Sequence, residues 1–147
     1  MQVFIENEAG SCEKRTYDES SLRLVKTAPV SAPYPFPYGF IPGTRSGDGD
    51  AADCFVLTRQ ALKSGTTVAC KPVALLEQIE DGDVDHKVIA VPDGDDDTID
   101  SADEAALRGF VQTVFAHVTG KTMIVGRLLG REAAEDYVRR CQTGRPR

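Results

Sequence analysis

The segment 32–43 constrains the fold most, because four of its residues are prolines. These are Pro33, Pro35, Pro37 and Pro42. Proline lacks a backbone N–H and pushes the preceding residue to extended angles, so this segment cannot be a helix. The rings of Tyr34, Phe36, Tyr38 and Phe40 alternate with the prolines. The segment is either a polyproline ligand for another protein's groove or an extended loop packed down by its rings. We favour the packed loop, because the segment leads into an acidic cluster.

That acidic cluster contains Asp48, Asp50 and Asp53, directly before the apolar run 54–57. Two like charges 4 Å apart cost about 1 kcal/mol even in bulk water. A divalent cation would remove this repulsion, and carboxylate oxygens suit Mg²⁺, Mn²⁺ or Ca²⁺ better than zinc. Because Asp-Gly is a strong turn former, an acidic surface turn is the alternative interpretation.

Composition and charge restrict the function further. A chain of 147 residues is expected to form one domain, 1–147, and it contains no apolar window long enough to span a membrane. The N-terminus lacks the features of a signal peptide, so we expect a cytoplasmic protein. A net charge of −6 disfavours nucleic-acid binding, and a polyanionic substrate would need a metal ion to bridge it to the protein. The four cysteines are widely spaced, which indicates free thiols.

Hydrophobic patterns predict a mixed fold. Apolar runs predict strands at 2–6, 55–58, 67–76, 87–92 and 121–129, and a hairpin is predicted over 13–26. A capping box starting at Ser101 predicts a helix to about Val118, and a second helix is predicted at 131–141, before a frayed tail at 143–147. The acidic loop 93–104 lacks the glycine of a calcium loop and follows a strand, so we expect it to be solvated.

A second acidic cluster, with Glu80 and Asp85, lies between two of the predicted strands. Both acidic clusters adjoin apolar strands. We therefore expect them to share one metal site at the rim of a barrel.

The chain resembles the soluble family I inorganic pyrophosphatases. Their signature, Asp-x-Asp-Pro-x-Asp, is matched by residues 48–53 in all three acids, with Ala51 in place of the proline. Further matches occur in the family's order at 3–6, 34–42, 71–73 and 85–92. No single motif is decisive, but their order and spacing are specific.

The resemblance implies an α+β fold, a five-stranded OB-like barrel with two flanking C-terminal helices. It implies hydrolysis of inorganic diphosphate to two phosphates by a metal-activated water, with Mg²⁺, or alternatively Mn²⁺. The implied metal ligands are Asp48, Asp53, Asp85, Glu6 and Glu80. The implied catalytic residues are Asp50 and Tyr38, and the implied phosphate contacts are Lys14, Lys26, Tyr34, Tyr38 and Lys87. A homo-oligomer, with a hexamer favoured, is also implied.

Several residues depart from the family pattern. Thr16 stands where the family has Glu, Lys26 where it has Arg, and Glu80 where it has Asp. The pair Val118-Thr119 replaces Tyr-Lys, which removes two hydrogen-bond donors to phosphate. By charge, Arg15, Lys121 and Arg127 are candidates to replace them. The alternative functions are a non-catalytic metal- or anion-binding or assembly protein, and a phosphohydrolase acting on another diphosphate.

Overall fold

The structure is a computed structural model that describes residues 1–115 and 118–143. Within these residues the chain forms nine strands and two helices. The strands are β1 (Gln2–Asn7), β2 (Glu13–Tyr17), β3 (Leu24–Pro29), β4 (Tyr38–Phe40), β5 (Asp53–Val56), β6 (Thr67–Glu80), β7 (Asp83–Val84), β8 (Lys87–Pro92) and β9 (Met123–Leu129). The helices are α1 (Ser101–Thr113) and α2 (Arg131–Cys141).

Five strands close into a ring. Their order is β1-β4-β5-β8-β6, and the first residues of β6 pair with β1 to complete it. All of these pairings are antiparallel except β5–β8, which is parallel. Together with the two helices, the ring confirms the predicted OB-like barrel.

The central strands are apolar without alternation because both of their faces are covered. In β5, Cys54 and Val56 pack in a core with α2, whereas Phe55 packs in a second core with α1. In β8, likewise, Val88 packs in the core with α2 and Ile89 packs in the core with α1. The continuous apolar runs in the sequence therefore reflect burial from both sides.

The predicted hairpin is confirmed as a separate two-stranded sheet of β2 and β3. Contacts with side chains of β1, instead of strand pairing, hold this hairpin against β1. The Arg15 N–H donates to Asn7 Oδ1 (2.7 Å), and the Tyr17 N–H donates to Glu6 Oε2 (3.0 Å). The Tyr17 ring also meets the Phe4 ring edge-on at 5.0 Å between centroids. These contacts hold the hairpin against the barrel.

Several strand predictions need correction. The strand predicted at 55–58 is β5 and begins at Asp53, because Asp53 pairs with both β4 and β8. Strand β4 lies inside the proline-rich segment, where we expected a loop, because the proline-free stretch 38–40 can pair with both β1 and β5. Strand β6 continues to Glu80, beyond the predicted end at 76, because β9 pairs with its second half. The short β7 was not predicted, since two residues carry no periodicity.

Helix α1 also differs at both ends from its prediction. Its N-cap is Asp100, whose Oδ1 accepts the Asp103 N–H (2.7 Å), so the capping box starts one residue earlier than predicted. The helix ends at Thr113 rather than near Val118. The carbonyl of Val114 accepts the Ser31 N–H (2.9 Å) instead of continuing the helical ladder. Neither α1 nor α2 is long and apolar enough to cross a membrane.

Helix α2 has the predicted limits, and its inward residues Ala134, Tyr137, Val138 and Cys141 are buried as predicted. Thr143 is not frayed, because its N–H donates to the Gly43 carbonyl (2.8 Å). The rest of the predicted frayed tail, 144–147, lies outside the described residues. All four cysteines are free thiols, and only Cys12 among them is exposed.

Replacing Gly39 with alanine should strongly destabilise the barrel. Gly39 pairs with Ile5 across β1 and β4, and a Cβ there would lie 1.7 Å from the Phe4 carbonyl oxygen. Because backbone must move, we expect a loss of about 3 kcal/mol or more in the free energy of unfolding. Gly109→Ala is the matched control, since a Cβ at this position in α1 meets nothing within 4 Å. It should stabilise by about 0.5–1 kcal/mol. Urea unfolding of both variants tests the contrast; equal effects would contradict it.

Candidate metal and anion site

A cavity of about 540 Å³ opens at the rim where β5 and β8 begin. Its acidic lining residues are Glu6, Asp18, Glu19, Asp48, Asp50, Asp53, Glu80 and Asp85. Lys14 and Lys87 are its basic lining residues, and Tyr17, Tyr34, Tyr38, Phe40, Phe55, Phe110 and Phe115 are its aromatic ones. The proline-rich segment, the hairpin and both acidic clusters therefore meet in one place.

Asp48, Asp53 and Asp85 converge at this rim. Each offers one carboxylate oxygen, and the three oxygens lie within 4.8 Å of one another. The parallel pairing explains the approach, because it sets Asp53 opposite Lys87 and so brings both strand starts to the same edge. Asp85 lies two residues before that start. This proximity agrees with the expectation that the two acidic clusters share a site.

Lys87 is the buried cation of the cluster. Its Nζ lies 2.7 Å from Asp53 Oδ2 and 3.0 Å from Asp85 Oδ2. Burial by itself would lower the pKa of Lys87, but the two carboxylates outweigh it and raise that pKa well above its usual value. Burial likewise opposes ionisation of Asp53, yet the Lys87 ammonium holds the pKa of Asp53 below its usual value.

The Asp85 carboxyl group is buried and only partly neutralised by its neighbours. Its Oδ1 is buried and has no hydrogen-bond partner among the described residues. Burial, with the nearby Asp53, raises the pKa of Asp85 to about 8 against the attraction of Lys87. An orphaned buried carboxylate oxygen is costly unless a cation or a proton satisfies it. The group of oxygen donors therefore fits a hard divalent cation.

The other two predicted metal ligands, Glu6 and Glu80, line the same cavity outside the three-aspartate cluster. Burial raises the pKa of Glu6 to about 7, despite the hydrogen bond that its carboxylate accepts from Tyr17. The Oε2 atom of Glu80 lies 3.4 Å from Lys121 Nζ. Both carboxylates line the cavity, but neither belongs to the three-residue cluster.

Asp50 lines the same cavity from the exposed turn 47–50. Its backbone N–H donates to Asp48 Oδ1 (3.0 Å), which also accepts the Ser46 hydroxyl (2.6 Å). Partial burial raises the pKa of Asp50, and the Asp48 and Asp53 carboxylates add to the shift. A carboxylate with a raised pKa is better suited to accept a proton near neutral pH.

Tyr34 and Tyr38 form an aromatic wall beside the acids. Their ring centroids are 5.5 Å apart, and Lys87 Nζ lies 5.6 Å from the Tyr38 ring. Burial raises the pKa of both phenols above the usual value, so both hydroxyl groups keep their protons. Protonated phenols can donate hydrogen bonds to an anion in the cavity.

The predicted lysines differ in position. Lys14 lines the cavity, with its Nζ 5.0 Å from the Phe115 ring centroid. Lys26 lies on the exposed strand β3, opposite Thr16, and is not one of the described residues that line the cavity. Its contact with phosphate stays a prediction.

Glu19 and Gln78 belong to the lining of the site but were not predicted from the sequence. Glu19 lines the cavity from the hairpin turn, and its Oε2 accepts the Ala51 N–H (2.9 Å). Gln78 is buried on β6 and lines the cavity, and its Oε1 has no hydrogen-bond partner within 1–115 and 118–143. Neither residue lies in a motif. Gln78 also lies beyond the predicted end of its strand, so no sequence pattern marked it as buried.

These features define the class of protein as an OB-like barrel with a cluster of three carboxylates that could hold a metal ion. A sequence model of the family described as "Inorganic pyrophosphatase" matches residues 3–144. The chain therefore belongs to the inorganic pyrophosphatase family.

Individual relatives agree with this assignment. The inorganic pyrophosphatase of Nanoarchaeum equitans is 32% identical over 97% of this chain and 95% of its own length. That of Nostoc sp. is 36% identical over 65% of this chain, and the match spans 57% of the relative.

Solved structures of the same family share the fold. The Helicobacter pylori inorganic pyrophosphatase has a TM-score of 0.88 at 26% identity, over 96% of this chain and 90% of that one. The Thermus thermophilus inorganic pyrophosphatase has a TM-score of 0.81 at 34% identity, over 96% and 88%. The resemblance found from sequence motifs is thus confirmed over the whole barrel.

Proposed function

We propose that the protein hydrolyses inorganic diphosphate to two phosphates with Mg²⁺, and that Mn²⁺ can substitute. The observation that carries this proposal is the convergence of Asp48, Asp53 and Asp85 in one cavity of about 540 Å³ that also holds Lys14 and Lys87. Because the chain has a net charge of −6, a polyanion needs a bound cation to enter an acidic cavity. The cytoplasmic location stays a prediction from the sequence.

The three clustered aspartates would hold the principal metal, and Glu6 and Glu80 would hold further metal from the cavity wall. When bound, Mg²⁺ supplies positive charge that neutralises the phosphate oxygens and makes a water molecule more acidic. The orphaned Asp85 Oδ1 and the raised pKa of Asp85 support this ligand set.

The remaining residues would act on the substrate directly. Asp50 would orient the attacking water and accept its proton, since its carboxylate lines the cavity outside the metal cluster. Tyr34 and Tyr38 would donate phenol hydrogen bonds to the phosphates. Lys14 and Lys87 would neutralise charge, because Lys87 has three N–H donors and only two carboxylate partners. Positioning and charge neutralisation account for most catalysis of phosphoryl transfer.

The test is phosphate release from diphosphate, measured with excess Mg²⁺ and with EDTA. Release only with Mg²⁺ supports the proposal. Binding of Mn²⁺ without any release would instead support the non-catalytic alternative. Release from other diphosphates, but not from inorganic diphosphate, would support a different phosphohydrolase.

Lys121 is our candidate to donate to phosphate in place of Val118 and Thr119, which lack the family's phenol and ammonium groups. Its Nζ lies 4.7 Å from the Phe115 ring, the same ring that Lys14 approaches, and Phe115 lines the cavity. Both ammonium groups thus approach the same lining ring.

The other two candidate cations are placed less well. Arg127 is 76% exposed and is held by both carboxylate oxygens of Glu77. Among the described residues neither Arg15 nor Lys121 lines the cavity, but Lys121 Nζ approaches two residues that do, Phe115 and Glu80 (3.4 Å). Lys121 is therefore the candidate that the geometry favours.

Lys121→Met should raise the KM for Mg-diphosphate about tenfold, because it deletes a charge-assisted hydrogen bond. Arg127→Met is the matched control, since it also deletes a cation that pairs with β6. It should leave KM within about twofold. Lys121→Arg should recover much of the affinity. Steady-state kinetics on the three variants would contradict this assignment if both methionine variants behaved alike.

A homo-oligomer, with a hexamer favoured by resemblance, belongs to the same proposal. Ile79 on β6 pairs directly with Val84 on β7 and with Ile124 on β9, so the three side chains form a row on one face. They are 36%, 41% and 57% exposed. A contiguous apolar row of this kind favours contact with another copy.

Light scattering should therefore give a mass that is a multiple of 15.9 kDa at micromolar concentration. Ile124→Lys should lower that mass, because it puts a charge in the apolar row. Its control is Leu24→Lys on the hairpin, which lies outside the row. A particle of 15.9 kDa for the unmodified chain would contradict the oligomer.

A further inference from the structure

At the tip of the β2–β3 hairpin, the Glu19 side chain forms a hydrogen bond with the acidic segment 48–53. The Ala51 N–H donates to Glu19 Oε2 (2.9 Å), across 32 residues of sequence. Ala51 lies between Asp50 and Asp53 and is only 3% exposed. A buried backbone N–H needs a partner, and Glu19 supplies it.

The backbone N–H groups on either side of Ala51 have other hydrogen-bond partners. The turn before it is closed locally, because the Ser46 N–H donates to the Asp50 carbonyl (2.8 Å) and the Asp50 N–H donates to Asp48. The residue after it is held by Thr44, whose Oγ1 accepts the Ala52 N–H (2.9 Å). Glu19 thus holds Ala51, the residue next to Asp50, from outside this segment.

The donor exists because residue 51 is not proline. The signature that this segment resembles has proline there, and proline has no N–H and a fixed φ. Alanine leaves the backbone free at this residue and adds a donor. The Glu19 hydrogen bond compensates for both changes: it satisfies the donor and restrains the segment from outside. Glu19 and Ala51 therefore form a matched pair.

We infer that Glu19 is a positioning residue: through the Ala51 N–H it holds the Asp50 carboxylate in the cavity, as a proline ring at position 51 would do. The inference assigns Glu19 no contact with the substrate or the metal. It deepens the proposed diphosphate hydrolysis, and its kinetic test rests on that function.

The kinetic test is a double-mutant cycle of Glu19→Met and Ala51→Pro, with Glu19→Gln as the conservative variant. Glu19→Met should lower kcat about tenfold and change KM less than about threefold, because positioning of Asp50 affects the chemical step. Glu19→Gln should keep kcat within about threefold, because its amide oxygen still accepts the hydrogen bond. With proline at position 51, Glu19→Met should change kcat less than about twofold.

Three results would overturn the inference. The first is a full kcat for Glu19→Met. The second is an equal loss for the Gln and Met variants, which would mean that the charge of Glu19 acts directly. The third is the same loss from Glu19→Met with alanine or proline at position 51, which would mean that Glu19 does not act through residue 51.

A second measurement does not depend on activity. Amide hydrogen exchange of Ala51, followed by NMR in EDTA, should be at least about tenfold faster in Glu19→Met and within about threefold of the unmodified chain in Glu19→Gln. An unchanged rate in Glu19→Met would overturn the inference even if kcat falls. If the unmodified chain does not hydrolyse diphosphate, the proposed function fails, while the exchange rates still decide whether Glu19 holds the segment.

Discussion

Asp50→Asn should bind metal normally and lose about 10²-fold or more in kcat. Asparagine has nearly the shape of aspartate, and the turn is held by the Asp50 N–H rather than by its carboxylate. The metal cluster consists of Asp48, Asp53 and Asp85, so its affinity should change little. What asparagine cannot do is accept a proton from water.

Phosphate release at saturating Mg²⁺ and Mn²⁺ titration by calorimetry separate the two effects. Asp95→Asn is the control, because it changes an exposed aspartate that is not a lining residue of the cavity. Unchanged hydrolysis in Asp50→Asn would remove Asp50 from the mechanism. A loss of Mn²⁺ affinity with full turnover at saturating metal would make Asp50 a ligand instead.

Lys87→Met should cost about 3–5 kcal/mol of unfolding free energy in EDTA. The substitution leaves Asp53 and Asp85 close together at the cavity rim with no cation between them. Added Mg²⁺ should stabilise this variant more than the unmodified chain, since no ammonium competes with it for the two carboxylates. Arg127→Met, which breaks an exposed pair, should cost less than about 1 kcal/mol.

The cost of Lys87→Met should also shrink in acid. In the unmodified chain Lys87 holds the pKa of Asp53 below its usual value, against the effect of burial. A lowered pKa stabilises the fold above the unfolded-state pKa, and this stability is lost as pH falls through the folded-state pKa. Urea unfolding at neutral and acid pH, with and without Mg²⁺, measures these effects. Equal stability of the Lys87 and Arg127 variants in neutral EDTA would contradict the prediction.

Much of this protein's secondary structure and part of its candidate site follow from local interactions that can be predicted from the sequence. The prolines of 32–43 exclude a helix, the runs at 87–92 and 131–141 have the limits that their patterns predict, and Asp48, Asp53 and Asp85 are visible as acids beside strands. These features depend on backbone sterics, side-chain periodicity and charge repulsion within a few residues. Their signals are therefore present in the linear order of residues.

Tertiary structure decided what depends on pairing between distant segments. Ring closure needs the start of β6 to pair with β1, and the three aspartates meet because β5 and β8 pair in parallel. The end of α1 depends on Ser31, far back in the chain. Glu19 is an ordinary turn residue until the hairpin folds over the rim and meets Ala51. No local propensity encodes such contacts, because their free energy is realised only when the whole barrel is packed.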